Sequence, residues 1–222
     1  MAYWGVDSCV PITTSYLADV KSWGGATPSF GGRYLTDNNV CPNGAMSGAE
    51  VEICKENYIG IIPIVYNWNL ANLSTYTDGQ NAAQRCYEAA LNNGNGVTVP
   101  EARGIAVFLD IETAIPSASF FEGFADTMVA SEYVGGIYGN QNDFGSNFCT
   151  AAGNDGNVKQ LVVWGNEPAI TTWTKAVNAP AYGSTKLPCS FSVSAWQYYE
   201  SPTGSSYPDE DEITTLGFVW TF

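Results

Sequence analysis

The sequence lacks histidine altogether, has few basic residues and contains no long apolar run. Without an imidazole, Ser-His-Asp and Cys-His catalysis are excluded, so carboxylates must carry any acid–base chemistry. Eight Lys and Arg residues against 22 Asp and Glu residues give a net charge of −14, which repels phosphate backbones and anionic membranes. No stretch approaches the roughly 20 apolar residues of a membrane span. We therefore expect a soluble protein that binds neither nucleic acid nor membrane.

Cysteine is also informative, with six copies at positions 9, 41, 54, 86, 149 and 189. They form no C-x-x-C pair, and a zinc site without histidine would need unusual ligands, so we expect no metal and no other cofactor. Disulfides are the better interpretation, although six cysteines permit about 15 pairings. Together with the strong acidity and the low lysine content, they predict a secreted, extracellular protein.

Short apolar segments alternate with helix-like segments along the whole chain, which is the pattern of repeated βα units. The pattern predicts eight strands, at Tyr3–Asp7, Ser29–Leu35, Tyr58–Asn67, Gly104–Glu112, Tyr133–Asn140, Gln160–Asn166, Phe191–Tyr198 and Ile213–Trp220. Eight is the number that closes a TIM-like (β/α)8 barrel, an α/β fold. Because 45% of the 222 residues are apolar or aromatic, we expect one barrel domain over residues 1–222 and a monomer.

Helices are predicted between these strands, several of them opened by Ser, Thr or Asn as candidate N-caps. Their ranges are Thr13–Trp23, Ala49–Asn57, Asn81–Asn92, Ser117–Ser131 and Thr171–Val177. The last third has few helices, since Pro180–Pro188 and Ser201–Asp211 have loop composition. We therefore expect an irregular barrel whose final strands are joined by hairpins.

The segment Gly104–Glu112 carries the most specific functional signal. Alternation along a strand places its branched aliphatic residues under outer helices and directs Asp110 and Glu112 into the barrel. Both acids then lie at the carboxyl end of the strand, where barrel active sites are built, with Cα atoms about 6–7 Å apart. When two carboxyl groups lie close together, each raises the pKa of the other. One of them can then stay protonated and act as a general acid while its neighbour stays ionised. The alternatives are a salt bridge or a calcium-binding pair.

Two further charged residues fall on predicted strands. Asp7 ends the first strand as Asp110 does the fourth, so it either faces the barrel mouth or caps the helix that begins near Thr13. Arg33 lies inside the second strand, and a buried Arg must find a carboxylate. It either organises an inward acid such as Asp7 or forms a purely structural ion pair.

Aromatic side chains lie near the predicted strand ends. Sugars stack on such rings, although each ring is also ordinary core material. The candidate substrate-binding residues are Tyr66, Trp68, Tyr138, Trp164, Trp196 and Gln197, with Arg33 added.

Three short motifs occur in the order found in a known family of enzymes. They are Gly-Val-Asp at residues 5–7, Phe-Leu-Asp-Ile-Glu at 108–112 and Ala-Trp-Gln-Tyr at 195–198. This set resembles the glycoside hydrolase family 25 lysozymes over nearly the whole chain. Gly-Arg-Tyr-Leu at 32–35 and Ile-Ile-Pro-Ile-Val-Tyr at 61–66 are still more similar to a related glycoside hydrolase-like domain, formerly of unknown function.

The resemblance implies a glycosidase that cleaves β-1,4-linked aminosugar polymers, either peptidoglycan or a chitin-like chain. It implies Glu112 as proton donor, Asp110 as its partner and Asp7 as a further carboxylate. The family's fourth acid follows the Trp-Gln-Tyr motif, and Asp211 is our choice for it, with Asp209 and Glu212 as alternatives. A non-catalytic carbohydrate-binding or cell-wall-binding module on the same barrel is the second hypothesis, because a fold does not determine an activity. A metal-dependent hydrolase that uses clustered acids is a third.

Overall fold

A computed structural model describes residues 2–36, 44–66, 73–102, 104–112, 115–202 and 207–222. Its eight strands form a closed barrel in chain order, and the predicted α/β barrel is confirmed. The strands are β1 (Tyr3–Asp7), β2 (Phe30–Tyr34), β3 (Gly60–Tyr66), β4 (Ala106–Asp110), β5 (Val134–Gly139), β6 (Val162–Asn166), β7 (Ala195–Tyr199) and β8 (Asp209–Ile213). Neighbouring strands from β1 to β7 are parallel, whereas β8 runs antiparallel to both β7 and β1.

Five α-helices are present in the described residues, all of them before β6. They are α1 (Thr14–Gly24), α2 (Gly48–Glu56), α3 (Tyr76–Leu91), α4 (Ala118–Val129) and α5 (Gln141–Asn154). Each is preceded by a polar N-cap residue, namely Thr13, Ser47, Thr75, Ser117 or Asn140, as expected for residues whose oxygens satisfy free helix amides. The shortage of helices in the last third is therefore confirmed. The expected hairpins are only partly found, since β7 and β8 are antiparallel but β6 and β7 are parallel and cannot form a hairpin.

Strand β4 shows how the two layers of the core arise. Its outward side chains, with those of Ile105 and Ile111 beside it, belong to the apolar layer between the sheet and the helices. Its inward side chains Ala106 and Phe108 belong to a second cluster inside the barrel. The predicted alternation is confirmed, and it leaves Asp110 pointing inward at the carboxyl end of the strand.

The eighth strand is where the sequence prediction was wrong. The structure places β8 at Asp209–Ile213, in a segment predicted to be mostly loop, and not at Ile213–Trp220. Four consecutive acids carry no apolar alternation, so hydropathy cannot identify this strand. Residues 216–219 instead reach the inner cluster, and Trp220 pairs with Ile61 by an isolated bridge.

The helices also differ from the prediction in two places. Helix α5 was not predicted, because its Gly, Asn and Ser content gives it low intrinsic propensity; it is held by Phe144 and Phe148, which pack on Phe121. No α-helix forms at Thr171–Val177, where the structure has only a 3₁₀ turn at Ala176–Asn178. Trp173 and Ala176 of this segment pack against the aromatic cluster on the outside of the barrel instead, where tertiary contacts override local preference.

The cysteines are divided between disulfides and free thiols. Cys149 and Cys189 form a disulfide that ties α5 to the segment before β7, and Cys9 is also disulfide-bonded. Cys54 and Cys86, which we expected to be oxidised, are buried free thiols in the outer core. No helix among the described residues is long and apolar enough to cross a membrane.

Helices α3 and α4 approach closely at two glycines. A Cβ added to Gly79 would lie 2.0 Å from the Phe120 carbonyl oxygen, and one added to Gly123 would lie 2.0 Å from the Tyr76 carbonyl oxygen. We expect Gly79→Ala to lower the free energy of unfolding by about 2 kcal/mol, because the cost of overpacking exceeds the helix-propensity gain of alanine. Urea denaturation measures this change.

Gly153, exposed on α5, provides the matched control. A Cβ there meets nothing within 4 Å, so Gly153→Ala should raise stability by up to about 1 kcal/mol. If both variants change stability in the same direction, the close contact between the α3 and α4 backbones does not determine the effect of Gly79→Ala.

Candidate active site

Asp110 lies at the carboxyl end of β4 with both oxygens engaged. Its Oδ2 accepts a hydrogen bond from the Tyr34 hydroxyl at 2.9 Å, and its Oδ1 accepts one from the Glu112 backbone N–H at 3.1 Å. The residue is only 2% exposed. Tyr34 ends β2, so two strands of the barrel fix the orientation of this carboxyl group.

Glu112 lies two residues further on, at the rim of the barrel. Its side chain is exposed, and its Oε1 accepts a hydrogen bond from the Asn166 side-chain amide at the carboxyl end of β6. The structure therefore brings the two predicted acids together, Asp110 held below the surface and Glu112 accessible above it.

Three more acids reach the barrel interior from β1 and β8. Asp7 at the end of β1 pairs with Asp209 at the start of β8, and Asp211 pairs one step deeper with Gly5. Asp211 is completely buried and accepts a hydrogen bond from the Trp164 ring N–H at 3.1 Å. Asp209 is partly exposed at the level of Asp7, so it is better placed to meet a substrate than Asp211, our choice from the sequence.

Glu212, the third alternative for the fourth acid, is on the other side of the strand. It pairs with Trp4 and Trp196, whose side chains belong to the aromatic cluster outside the barrel. Asp7 does not cap α1, since the Thr13 hydroxyl accepts the Tyr16 N–H there.

Burial and mutual repulsion make these carboxyls easy to protonate. Burial raises the pKa of Asp110 to about 7, and the charge of Glu112 adds to the effect, whereas hydrogen bonds from Glu112 and Tyr34 oppose it. Burial raises the pKa of Asp209 to about 7 as well. The pKa values of Asp7 and Asp211 are raised by burial and by neighbouring acids. Desolvation by the surrounding rim raises the pKa of Glu112, although hydrogen bonds from Asn166 and Tyr138 oppose the shift.

These shifts predict a stability that falls as pH rises. Between about pH 4 and 7 the folded protein binds more protons than the unfolded chain, because the folded pKa values of Asp110 and Asp209 are raised. The free energy of unfolding must therefore decrease through this window. We expect the melting temperature to drop by about 5–10 °C from pH 5 to pH 8. Calorimetry at constant ionic strength measures it.

Asp209→Asn serves as the control for this pH dependence. It removes one titrating carboxyl without changing the size of the side chain, so its melting temperature should vary less with pH than that of the wild type. A wild-type melting temperature that rises toward pH 8 would contradict the raised pKa values of Asp110 and Asp209.

The predicted substrate-binding residues divide into three groups. Tyr138, Trp164 and Gln197 lie inside the barrel, where the Tyr138 hydroxyl donates to Gln197 Oε1 at 2.6 Å, but all three are at most 2% exposed and belong to the buried layer beneath the acids. Tyr66 ends β3 beside Asp110, is partly exposed, and lines a cavity together with Thr36 and Arg85. Trp68 lies outside the described residues.

Arg33 and Trp196 are on the outer face of the barrel, away from the acids. Arg33 Nε bonds to Glu50 Oε2 at 2.9 Å, and its guanidinium also donates to the carbonyls of Ser8 and Gly44. Of the two alternatives given for Arg33, the structure therefore supports the purely structural ion pair. Trp196 donates its ring N–H to the Glu167 carbonyl at 2.8 Å.

Sequence reasoning missed two polar residues of the site. Tyr34 ends β2 and Asn166 ends β6, and their side chains donate hydrogen bonds to Asp110 and Glu112, respectively. Their positions at strand ends were visible in the sequence, but only the closed barrel identifies their partners. Within the described ranges, no three His, Cys, Asp or Glu side chains are grouped so as to hold a metal ion.

The fold and the geometry define a mostly parallel eight-stranded α/β barrel with a carboxylate cluster at its mouth. No known family model matches the chain, and no curated protein matches it. Among solved structures, it is similar to an uncharacterised protein of B. stearothermophilus, with a TM-score of 0.86 and 24% identity over 98% of this chain and 100% of that one. At this identity the likeness shows the shared fold alone.

Proposed function

We propose that this protein is a glycoside hydrolase that cleaves β-1,4-linked aminosugar chains, with Glu112 as general acid and Asp110 as its partner. The observation that carries the proposal is the pair of acids at the carboxyl end of β4, one exposed at the rim and one fixed beneath it. General acid catalysis of glycoside cleavage needs a carboxyl with a raised pKa next to a second carboxylate.

Asp110 is better suited to orient the substrate than to attack it. Both of its oxygens already accept hydrogen bonds, and it lies only two residues before Glu112 in the chain, whereas an acid and a nucleophile must flank the sugar. We propose that Asp110 positions the 2-acetamido group, whose oxygen attacks its own anomeric carbon as the glycosidic bond breaks and Glu112 protonates the leaving oxygen. Water then opens the cyclic intermediate at the anomeric carbon and returns a proton to Glu112. NMR of the first product should then show a retained anomer; inversion would rule out this mechanism.

Asp7 and Asp209 complete the proposed site. Their carboxyls lie beside one another on neighbouring strands, so those that ionise add negative charge near the reacting sugar. Fixed negative charge stabilises the oxocarbenium-like transition state of glycoside cleavage.

The cellular location follows from the same proposal. The Cys149–Cys189 disulfide supports secretion, because disulfides persist in oxidising compartments. Aminosugar polymers of cell walls lie outside the cell membrane, where a secreted hydrolase would meet them.

The test is release of reducing ends from purified peptidoglycan and from chitin oligomers, by the wild type and by Glu112→Gln. Turnover by the wild type that is lost in the variant supports the proposal. Binding of either polymer without turnover would support the carbohydrate-binding module instead.

A further inference from the structure

Tyr138 and Gln197 lie inside the barrel, directly beneath the acids of the mouth. Tyr138 on β5 pairs with Asp110 in the sheet, and Gln197 on β7 pairs with Asp211. The two residues are 2% and 1% exposed, respectively. A polar atom buried to this degree needs a partner within the protein, so the neighbours of these side chains determine which hydrogen bonds they make.

A row of hydrogen bonds joins these two side chains to two acids of the mouth. The Tyr138 hydroxyl donates to Gln197 Oε1 at 2.6 Å. The same hydroxyl is a hydrogen-bond partner of Glu112, and the Gln197 side chain is bonded to Asp209. The row therefore crosses the barrel from the rim beyond β4 to β8, and both ends of the Gln197 amide are engaged.

The Tyr138 hydroxyl has one hydrogen and two neighbours that can accept it. Directed at Glu112, this hydrogen would stabilise the ionised carboxylate and lower its pKa. The structure directs it at Gln197 Oε1 instead. A tyrosine oxygen whose hydrogen is already engaged can still accept a hydrogen bond. In this arrangement Tyr138 bonds to Glu112 only when Glu112 is protonated and supplies the hydrogen itself.

We propose that Gln197 is a positioning residue that keeps Glu112 protonated, by taking the Tyr138 hydrogen and leaving the Tyr138 oxygen to accept the hydrogen of Glu112. This rests on the proposed hydrolase function, because a general acid must carry its proton before the glycosidic bond breaks. Once Glu112 has protonated the leaving oxygen, the Tyr138 hydroxyl rotates and donates to the new carboxylate. It turns back to Gln197 when water returns a proton to Glu112.

The effect of Gln197 through Tyr138 has to be separated from its effect on nearby charge. Replacing Gln197 also removes a hydrogen-bond donor from Asp209, whose charge acts on Glu112. Strand β6 contributes the uncharged Asn166. The other titratable groups around Glu112 stay as they are: Asp7 on β1, Tyr34 on β2, Tyr66 on β3, Asp110 on β4 and Glu200 after β7.

The experiment is a double-mutant cycle read by carboxyl carbon NMR of Glu112, whose resonance is identified by its loss in Glu112→Gln. We expect Gln197→Met to lower the titration midpoint of Glu112 by about one pH unit, because the released Tyr138 hydrogen turns to the carboxylate. In the Tyr138→Phe background, Gln197→Met should shift the midpoint by less than about 0.3 pH unit, because the hydroxyl is gone and only the change at Asp209 remains. Equal shifts in the two backgrounds, or no shift in either, would overturn the inference.

Gln141→Met is the matched control. Gln141 is also a buried glutamine, 1% exposed and bonded to the carboxylate of Glu167 at 2.6 Å. Its replacement should leave the midpoint of Glu112 unchanged, and a shift as large as that of Gln197→Met would contradict a specific role for Gln197.

The titration needs no substrate, so it decides this inference separately from the reducing-end assay that decides the hydrolase proposal. In the active enzyme, the alkaline limb of kcat/KM should move to lower pH in Gln197→Met by the same amount as the midpoint. A lower kcat with an unchanged pH profile would show a merely structural role and overturn the inference.

Discussion

Replacing Glu112 by Gln is expected to reduce kcat by about 10²–10⁴-fold, which is the usual contribution of a positioned general acid. A glutamine side chain has the same shape but cannot deliver a proton to the leaving oxygen. It can still accept the hydrogen bond from Asn166, so the geometry of the rim should survive. KM should change little, because the variant loses an interaction made only in the transition state.

Glu56→Gln is the matched control, since it removes the same charge from an exposed position remote from the mouth. It should keep wild-type turnover. If the melting temperatures of both variants are unchanged, any loss of turnover comes from the chemical step and not from unfolding. If Glu112→Gln retained full activity while the wild type cleaved the polymer, the general acid would have to be another carboxyl, with Asp209 the next to test.

Replacing Glu50 by Gln is expected to lower the free energy of unfolding by about 3–5 kcal/mol, the usual cost of breaking a buried ion pair from one side. Glu50 is 3% exposed and its Oε2 accepts from Arg33 Nε at 2.9 Å and from the Ile12 backbone N–H at 2.7 Å. Its Oε1 accepts the Ser47 N–H that opens α2. Glutamine supplies a single acceptor oxygen for these donors and leaves Arg33, which is completely buried, without a counter-charge.

Glu52→Gln, on the same helix but exposed, is the control and should change stability by less than about 1 kcal/mol. A double-mutant cycle with Arg33→Met separates the ion pair from its surroundings. The double variant should lose less stability than the two single variants combined, because no buried charge is left unpaired. Fully additive losses would show that Glu50 acts through its helix-capping bonds alone.

Much of the barrel could be predicted because local physics and tertiary packing agree in its first two-thirds. β1 has the predicted boundaries, and β4 presents the predicted faces. Helices α1, α2 and α4 begin within one residue of their predicted starts, whereas α3 begins five residues before the predicted Asn81. Alternation on β4 alone was enough to bring Asp110 and Glu112 to the mouth of the barrel.

The remaining features depend on contacts between segments far apart in the chain. Strand β8 consists of four acids and one isoleucine, and it forms because each face meets suitable donors: Trp164 bonds to Asp211 inside the barrel, whereas Trp4, Tyr198 and the Thr174 N–H bond to Glu210 outside. No local pattern contains those partners.

The sequence by itself determined the barrel class, the layer to which each residue of β4 belongs and the site of the acidic pair, because hydrophobic periodicity and strand alternation are local properties. Only the tertiary structure decided that Arg33 is structural, that Asp209 is the acid beside Asp7, and that Tyr34 and Asn166 hold Asp110 and Glu112. The physical reason is that a buried polar group is defined by its partner, and these partners become neighbours only when the barrel closes.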